Sequence, residues 1–393
     1  MNTSNSAAQG VPSLTGGRVF GLDVLRAAAI LSVICAHALH VFYPHVYQVG
    51  LLGHGGFYGV ELFFVLSGFL IGQILLRLGE DLRTPAALGV FYVRRWFRTL
   101  PLFWLFIAFN VWLEWHLHAR AIGGKEIVEH ALFLRTIAVN RIGFIPESFS
   151  LAIEEWFYLL FPAVLWIGLK CRIRFTTVFL TTAAGFYLFS TIGRVLSADR
   201  PGIDWTSWQR VLVIYRFDAL MTGVLAAWFA RRFPDTWRRA AVPMAIVGLV
   251  LTFAMYASLW RPAGNFFTSA PDSFFARTFR FNLISLGFAL LLPAASRWRI
   301  SRPTLVANSV QNVALWSYSM YLVHQPVIQL CHQHLFPQWR TSPMEAAATF
   351  TVQIALTIGI SAALYHWFEA PCTRLRERVA PEVARILGQA PGI

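Results

Sequence analysis

Apolar runs of about 20 residues recur along almost the whole chain, and short polar segments separate them. A run of that length can cross the hydrocarbon core of a bilayer as an α-helix. We therefore predict about ten transmembrane helices, over residues 21–43, 52–76, 99–118, 148–169, 175–197, 209–230, 240–260, 278–296, 305–331 and 345–368. The pattern indicates an all-α, polytopic membrane helix bundle.

The same pattern divides the chain into one membrane domain and two tails. We predict a transmembrane domain over residues 19–372, between a polar N-terminal tail over 1–18 and a basic C-terminal tail over 373–393. The first apolar run is too long for the apolar core of a signal peptide and is followed by no convincing cleavage site. We expect it to remain as a membrane helix.

The composition excludes two classes of protein. Only 13% of the 393 residues are charged and 56% are hydrophobic, whereas a soluble domain has about 25% charged residues. So few charges cannot cover the surface of a soluble protein of this size, and a disordered chain needs low hydrophobicity. A soluble enzyme and a disordered protein are both excluded, and the expected surroundings are a lipid bilayer.

The formal net charge is +14, and Lys125 and Lys170 are the only lysines, so the excess is carried by arginine. Such an excess can indicate nucleic-acid binding. Here the basic residues concentrate after the second, fourth, sixth, eighth and tenth predicted spans, which places them on one side of the membrane. Basic loops are typically cytoplasmic. We therefore expect both termini in the cytoplasm and no nucleic-acid partner.

Neither the cysteines nor a known nucleotide-binding motif indicates a further type of chemistry. Cys35, Cys171, Cys331 and Cys372 are widely separated, without the spacing of a disulfide framework or a metal site. The chain also lacks a glycine-rich phosphate loop and a dinucleotide fingerprint. We expect no metal and no redox chemistry.

The first predicted span carries an arginine and a histidine on one helical face. Arg26 and His37 are eleven residues apart, close to three full turns and about 16 Å along the helix axis. Ionisable residues inside a membrane are costly and are therefore functional candidates. His37 is a candidate acid or base, and Asp23 can pair with Arg26. Alternatively, Arg26 reaches the interface and His37 only bonds a neighbouring helix.

A second cluster precedes the third predicted span, in the sequence FYVRRWFRTLP at 91–101. Arg94, Arg95 and Arg98 lie together, and Arg94 and Arg98 share a helical face. Guanidinium groups bind phosphate oxygens in a bidentate manner, so the cluster suits a polyphosphate ligand. Ordinary positive charge on the cytoplasmic side remains an equal alternative.

The fourth predicted span begins with SFSLAIEEWFYLLFP at 148–162. Glu154 and Tyr158 are four residues apart and can both face the interior of the bundle. A carboxylate at the depth of His37 can orient the imidazole, as in a general-base pair. Alternatively, the glutamates lie at the outer end of the helix and pair with arginines of the outer loops.

Further polar residues within the spans are substrate-binding or structural candidates. Glu61 lies near the outer end of the second span, beside Gly68 and Gly72, whose spacing is typical of helix packing. For Arg216 and Asp218, inside the sixth span, we favour a structural ion pair. The remaining candidates are Ser317, Tyr321 and His324 on one face of the ninth span, and Glu369 at the end of the tenth.

These motifs together resemble the acyltransferase-3 family of integral membrane O-acyltransferases. The matching features are the Arg26 and His37 pair, GVELFFVLSGFLI, FYVRRWFRTLP, SLAIEEWFYLLFP, YRFDALMTGV, SYSMYLVHQP and WFEAP, in family order from 21 to 374. Each motif is weak, but seven in order are specific. Glu61 departs from the pattern, because relatives often have aspartate there.

The resemblance implies transfer of an acyl group, often acetyl from acetyl-CoA, to a hydroxyl of a glycan. By resemblance, Arg26 and His37 are essential, Glu154 is the glutamate of the family motif, and Arg94, Arg95 and Arg98 bind the CoA phosphates. Without an esterase-like domain after the last span, we expect the stand-alone type, in a bacterial inner membrane. Candidate acceptors are exopolysaccharide, lipopolysaccharide, periplasmic glucans and lipid-linked repeat units.

The same buried charged residues are also compatible with two other functions. A glycan or anion transporter also places charges along its path, but the inverted repeats and broken helices of many transporters are not evident here. A membrane sensor leaves the arginine cluster unexplained. The sequence also leaves open whether the acyl group passes directly to the acceptor or first to His37.

Overall fold

The computed structural model describes residues 18–43, 52–137, 139–203, 205–258, 273–300, 302, 304–338 and 340–379. Residues 1–17 and 380–393, which make up most of the two predicted tails, lie outside the described residues. The α-helices of the described part are α1 (Phe20–Ala38), α2 (His54–Leu78), α3 (Pro85–His118), α4 (Gly124–Ala131), α5 (Ser148–Lys170), α6 (Phe175–Ser197), α7 (Phe217–Arg232), α8 (Pro234–Arg239), α9 (Ala241–Ala257), α10 (Phe274–Thr278), α11 (Arg280–Ala289), α12 (Leu292–Ala295), α13 (Leu305–Leu330), α14 (Pro343–Leu364) and α15 (Ala370–Val379).

The all-α prediction is confirmed, whereas the count of ten spans is not. The described residues contain no β-strand. Six of their helical stretches are long and apolar enough to cross a membrane: Phe20–Phe42, His54–Arg83, Pro85–His118, Ser148–Lys170, Phe175–Ser197 and Pro343–Leu375. The protein is therefore a multi-pass membrane helix bundle in which length and composition support six of the ten predicted spans.

The four other predicted spans fall short for different reasons. The helices α7 and α9 have only 16 and 17 residues. The run at 278–296 is divided into α11 and α12, and Pro293 lies at the start of the second piece. The helix α13 has 26 residues, but its many polar side chains keep it out of the apolar set.

The helix α3 begins 14 residues before the predicted span, at Pro85 rather than at residue 99. Thr84 caps it, since the Thr84 hydroxyl accepts a hydrogen bond from the amide of Ala87, and proline is favourable at the first helical position. Pro101 lies inside the helix without ending it. The arginine cluster is therefore part of a long helix and not of a connecting segment, which corrects the prediction.

The helix α7 begins later than predicted, at Phe217 rather than at residue 209. Trp205–Gln209 form a π-helical turn and Val213–Tyr215 a 3-10 turn. Arg216 therefore lies at the N-cap position, just outside the helix, and Asp218 lies in the first turn, where the helix dipole favours a negative charge. The prediction that both residues lie inside a span is wrong for Arg216.

The helix α2 is the centre of the bundle. Of its apolar stretch 72% is buried within the protein, against 44% or less for the other five. Gly59 packs against the backbone of α1 at Ala29, and Gly68 and Gly72 pack against α7. A Cβ atom on Gly68 would overlap the carbonyl group of Leu220. The predicted packing role of Gly68 and Gly72 is confirmed, and α2 is held by backbone contacts on two sides.

Substituting Gly68 should therefore destabilise the fold strongly. Gly68→Ala forces α2 away from α7, and overpacking of this kind costs about 1–3 kcal/mol. We expect a lower melting temperature of the purified protein in detergent, measured by tryptophan fluorescence. The control is Gly185→Ala in α6, where an added Cβ meets no atom within 4 Å. A Gly68→Ala protein that melts with the wild type and the control would contradict this packing.

Candidate active site

A cavity of about 110 Å³ lies between α1, α2, α3, α5 and α13. Seven residues singled out in the sequence line it: Arg26, Arg95, Arg98, Glu154, Tyr158, Ser317 and Tyr321. Its other polar residues are Ser67, Thr99, Ser150 and Tyr318. At about 10–15 Å³ for each water molecule, this space holds several waters or a small polar group. Five helices that are distant in sequence thus bring the candidates to one place.

Three guanidinium groups give this cavity its positive charge. Arg26, Arg95 and Arg98 line it, and no described carboxylate lies within ion-pair distance of any of them. The predicted pairing of Asp23 with Arg26 is wrong, because Asp23 accepts hydrogen bonds of 2.8 and 3.1 Å from Arg18 instead. The charges of Asp23 and Glu369 act on Arg26 only from beyond ion-pair distance, so the cluster can accept an anionic ligand.

The structure brings only part of the predicted arginine cluster to the cavity. Arg95 and Arg98, three residues apart on α3, line it, and the guanidinium carbon of Arg95 lies 5.3 Å from the centre of the Tyr158 ring. Arg94 is half-buried and does not line the cavity. Arg95 and Arg98, which are three residues apart, therefore face the site. The sequence had suggested Arg94 and Arg98, which are four residues apart.

Glu154 lies in the cavity wall with two hydroxyl groups. It interacts with the hydroxyls of Ser67 and Tyr158, and these two hydroxyls also share a hydrogen bond with each other. Among the described residues no hydrogen bond joins Glu154 to His37, so the expected histidine–carboxylate pair does not form. The reason is that α1 packs against α13, which presents a different side chain to His37.

That side chain is His324. The Nδ1 atom of His37 lies 3.2 Å from Nε2 of His324, and the two rings stack with their centres 5.1 Å apart. His324 is completely buried and His37 is half-buried. A pair of histidines therefore occupies the position that the sequence assigned to a histidine and a carboxylate.

The residues Tyr321 and His324 of α13 connect the cavity with the histidine pair. The Tyr321 hydroxyl lies 2.5 Å from Oγ of Ser150 and donates to the carbonyl oxygen of Glu147 at 3.0 Å. One turn further along α13, the ring of His324 lies 5.7 Å from that of Tyr321. The histidine pair does not line the cavity itself. It lies next to the end of the cavity that Tyr321 forms.

Glu369 lies behind the arginines. It is 5% exposed and accepts a hydrogen bond of 2.7 Å from the hydroxyl of Ser319. Its charge acts on Arg26 and Arg98 without reaching ion-pair distance. This carboxylate reduces the mutual repulsion of the arginines while leaving their donors available.

A comparison with protein families indicates the class of protein to which this chain belongs. The family model described as "Acyltransferase domain" matches residues 19–366. The chain belongs to this acyltransferase family. The match lies within the predicted transmembrane domain, and it favours the acyltransferase hypothesis over the transporter and sensor hypotheses.

Two curated relatives are similar over most of this acyltransferase chain. The peptidoglycan O-acetyltransferase OatA of Listeria monocytogenes is 26% identical over 366 residues, which cover 84% of this chain and 53% of that protein. The O-acetyltransferase OatA of Staphylococcus aureus is 25% identical over 377 residues, covering 89% and 56%. The chain thus spans about half the length of these relatives. No solved structure matches.

Three other sequence candidates of the acyltransferase lie outside the cavity, in a buried ion network. Glu61 forms an ion pair with Arg216 and accepts a hydrogen bond of 3.4 Å from Ser285. Asp218 forms an ion pair of 2.8 Å with Arg194. The four charged side chains are 0–1% exposed. Removing one partner of such a pair leaves an uncompensated buried charge, so loss of any one of the four side chains should destabilise the bundle.

Sequence reasoning missed two arginines of the acyltransferase. Arg194 lies within an apolar run, and that lone charge was the available signal. Arg210 lies 5.7–6.0 Å from the ring centres of Phe57, Phe149 and Trp205. Arg210 was missed because it lies at the beginning of the predicted span over residues 209–230. No group of three or more His, Cys, Asp or Glu in the described part of the acyltransferase is placed to hold a metal ion.

Proposed function

We propose that this protein is a membrane O-acetyltransferase that transfers an acetyl group from acetyl-CoA to a hydroxyl group of a cell-envelope glycan. The observation that carries the proposal is the cavity, because it combines arginines that form no ion pair with a described carboxylate, a glutamate and, beside its Tyr321 end, an imidazole. Both relatives are named O-acetyltransferases, and the name of one includes peptidoglycan. Family membership supports an acyl donor.

The arginines are proposed to bind the donor. Coenzyme A carries phosphate groups, and guanidinium groups bind phosphate oxygens through charge-assisted hydrogen bonds. Arg26, Arg95 and Arg98 are in place for this, and Arg94 is not. We place this end of the cavity towards the cytoplasm, in agreement with the basic segments expected there. The corresponding membrane is the bacterial inner membrane.

The thioester of the donor is proposed to reach towards Tyr321 and the histidine pair. Arg26 and His37 are eleven residues apart on α1, which is about 16 Å along the axis. An extended ligand bound at the arginines by its phosphates thus places its far end near His37. Tyr158 and Glu154, on the cavity wall, are available to bind the acceptor sugar.

His37 is proposed as the general base. Its unprotonated ring nitrogen takes the proton of the acceptor hydroxyl, and the hydroxyl oxygen attacks the thioester carbonyl carbon. The carbon–sulfur bond then breaks, and the CoA sulfur leaves with the proton from the imidazolium. In a covalent variant the imidazole attacks the thioester carbonyl carbon first, the carbon–sulfur bond breaks and CoA leaves as the thiolate. The acceptor hydroxyl oxygen then attacks the acetyl group, the bond to the ring nitrogen breaks, and the hydroxyl proton passes to the CoA sulfur.

The acceptor is proposed to be a cell-envelope glycan, with peptidoglycan first because a relative's name includes it. Exopolysaccharide, lipopolysaccharide, periplasmic glucans and lipid-linked repeat units are the further acceptors to compare. All present the same reacting group, a sugar hydroxyl.

The decisive experiment measures transfer directly. The purified protein in lipid nanodiscs is incubated with [¹⁴C-acetyl]-CoA and each of these glycans, and the label in the glycan and the CoA thiol released are both counted. We expect acceptor-dependent labelling that matches the thiol released. Absence of label in every glycan, from protein that binds acetyl-CoA, would contradict the proposal. Movement of unmodified glycan across vesicles without acetylation would indicate a transporter instead.

A further inference from the structure

We infer that His324 is a positioning residue, which holds His37 in the tautomer whose Nε2 atom carries the free lone pair. The inference rests on the proposed function, since it gives a more exact role to the base of that reaction. It follows from two hydrogen bonds and from the donors and acceptors that an imidazole can offer.

The first bond fixes the proton of His324. Its Nδ1 atom lies 2.6 Å from the carbonyl oxygen of Tyr321. A carbonyl oxygen only accepts hydrogen bonds, so the Nδ1 atom must carry a hydrogen. His324 is 0% exposed, and no described carboxylate is within ion-pair distance of it. A buried charge without a partner is unfavourable, so the ring is neutral and its Nε2 atom is an acceptor.

The second bond fixes the proton of His37. The Nε2 atom of His324 lies 3.2 Å from Nδ1 of His37. Because His324 accepts there, His37 donates, and its proton is on Nδ1. The carbonyl group of Val33, one turn earlier on α1, is a second hydrogen-bond acceptor beside the His37 ring. In a neutral ring the Nε2 atom of His37 is then unprotonated and able to take a proton.

As in a catalytic triad, a second residue fixes the tautomer of the base, but here that residue is neutral and not a carboxylate. A triad carboxylate accepts from the Nδ1 hydrogen of the base and so fixes its tautomer and orientation. Here His324 makes that bond as a neutral group, and the Tyr321 carbonyl holds His324 in turn. Glu154 is thereby free to act elsewhere in the cavity. Tyr321 contributes twice, with its hydroxyl at the cavity wall and with its carbonyl at His324.

The test compares two substitutions of His324 by steady-state kinetics. His324→Ala removes the acceptor, so we expect kcat to fall by about 100-fold, the scale of a misplaced catalytic group, with KM for acetyl-CoA unchanged. His324→Gln offers an amide oxygen near the original Nε2 position, and we expect it to recover most of kcat. If purified, folded His324→Gln is as impaired as His324→Ala, or His324→Ala has the wild-type kcat, the inference is wrong.

A second readout does not depend on activity. In solid-state ¹⁵N NMR of histidine-labelled protein in bilayers, the His37 signals are those that disappear in His37→Ala. We expect His37 of the wild type to be protonated at Nδ1 and bare at Nε2, and His324→Ala to shift it towards the other tautomer. An Nε2-protonated His37 in the wild type overturns the inference even if acetyl transfer occurs. Lack of acetyl transfer with the expected tautomer overturns the proposed function alone.

Discussion

Replacing His37 with alanine is expected to reduce acetyl transfer to the glycan by about 10²–10⁴-fold, the contribution of a general base. The substitution removes the ring that hydrogen-bonds His324 but leaves the cavity lining intact, because His37 does not belong to that lining. We therefore expect a loss in kcat with a small change in KM for acetyl-CoA. The measurement is the initial rate of label transfer by equal amounts of folded protein.

The matched control for this substitution is His116→Ala. His116 is exposed on α3, far from the cavity lining, where its Nδ1 atom bonds the carbonyl oxygen of Trp112 and its ring packs on the Trp112 ring, so its loss should leave the rate unchanged. Full activity of the His37→Ala protein would remove His37 from the mechanism. A labelled acetyl adduct trapped on the wild type and absent from His37→Ala would favour the covalent variant of the reaction.

Substitution of the cavity arginines is expected to weaken donor binding. A hydrogen bond to a charged group contributes about 1.5–3 kcal/mol, so Arg95→Ala and Arg98→Ala should each raise KM for acetyl-CoA by about 10- to 150-fold. The effect should grow with the phosphate content of the ligand, so dephospho-CoA should lose less affinity than CoA. Binding is measured by competition with labelled acetyl-CoA in nanodiscs.

Arg94→Ala is the control for both arginines. It removes the same charge from the neighbouring turn of α3, but Arg94 does not line the cavity, so KM should stay close to the wild-type value. Equal losses from Arg94→Ala and Arg95→Ala would show that the general positive charge of this segment matters, and not the cavity.

Features that depend on residues within one helix could be predicted from the sequence. The separation of Arg26 and His37, the shared face of Ser317, Tyr321 and His324, and the apolar lengths of the long helices all follow from helical periodicity. The membrane bundle and the candidate residues followed from the same patterns. Periodicity states which positions share a face of their helix, but not which neighbouring helix that face meets.

Pairings between helices could not be predicted in this way. His37 and His324 are 287 positions apart, and Glu61 and Arg216 are 155 apart, so no spacing rule relates them. Chemical precedent pointed to a carboxylate beside His37, and only the packing of α1 on α13 provides the imidazole instead. The sequence also could not show that Arg95 and not Arg94 faces the cavity, because the packing of α3 on its neighbours sets the rotation of α3 about its axis.

The glycines of α2 limit which parts of the protein can move. Gly59 lies against the backbone of α1 and Gly68 lies against the backbone of α7, so sliding of these helices would force backbone atoms into one another. The cavity wall contributed by α3 and α13 includes instead the long side chains of Arg95, Arg98 and Tyr321, which can change rotamer at low energetic cost. Entry and exit of a substrate larger than the cavity should therefore involve Arg95, Arg98 and Tyr321, with α1, α2 and α7 acting as the fixed frame.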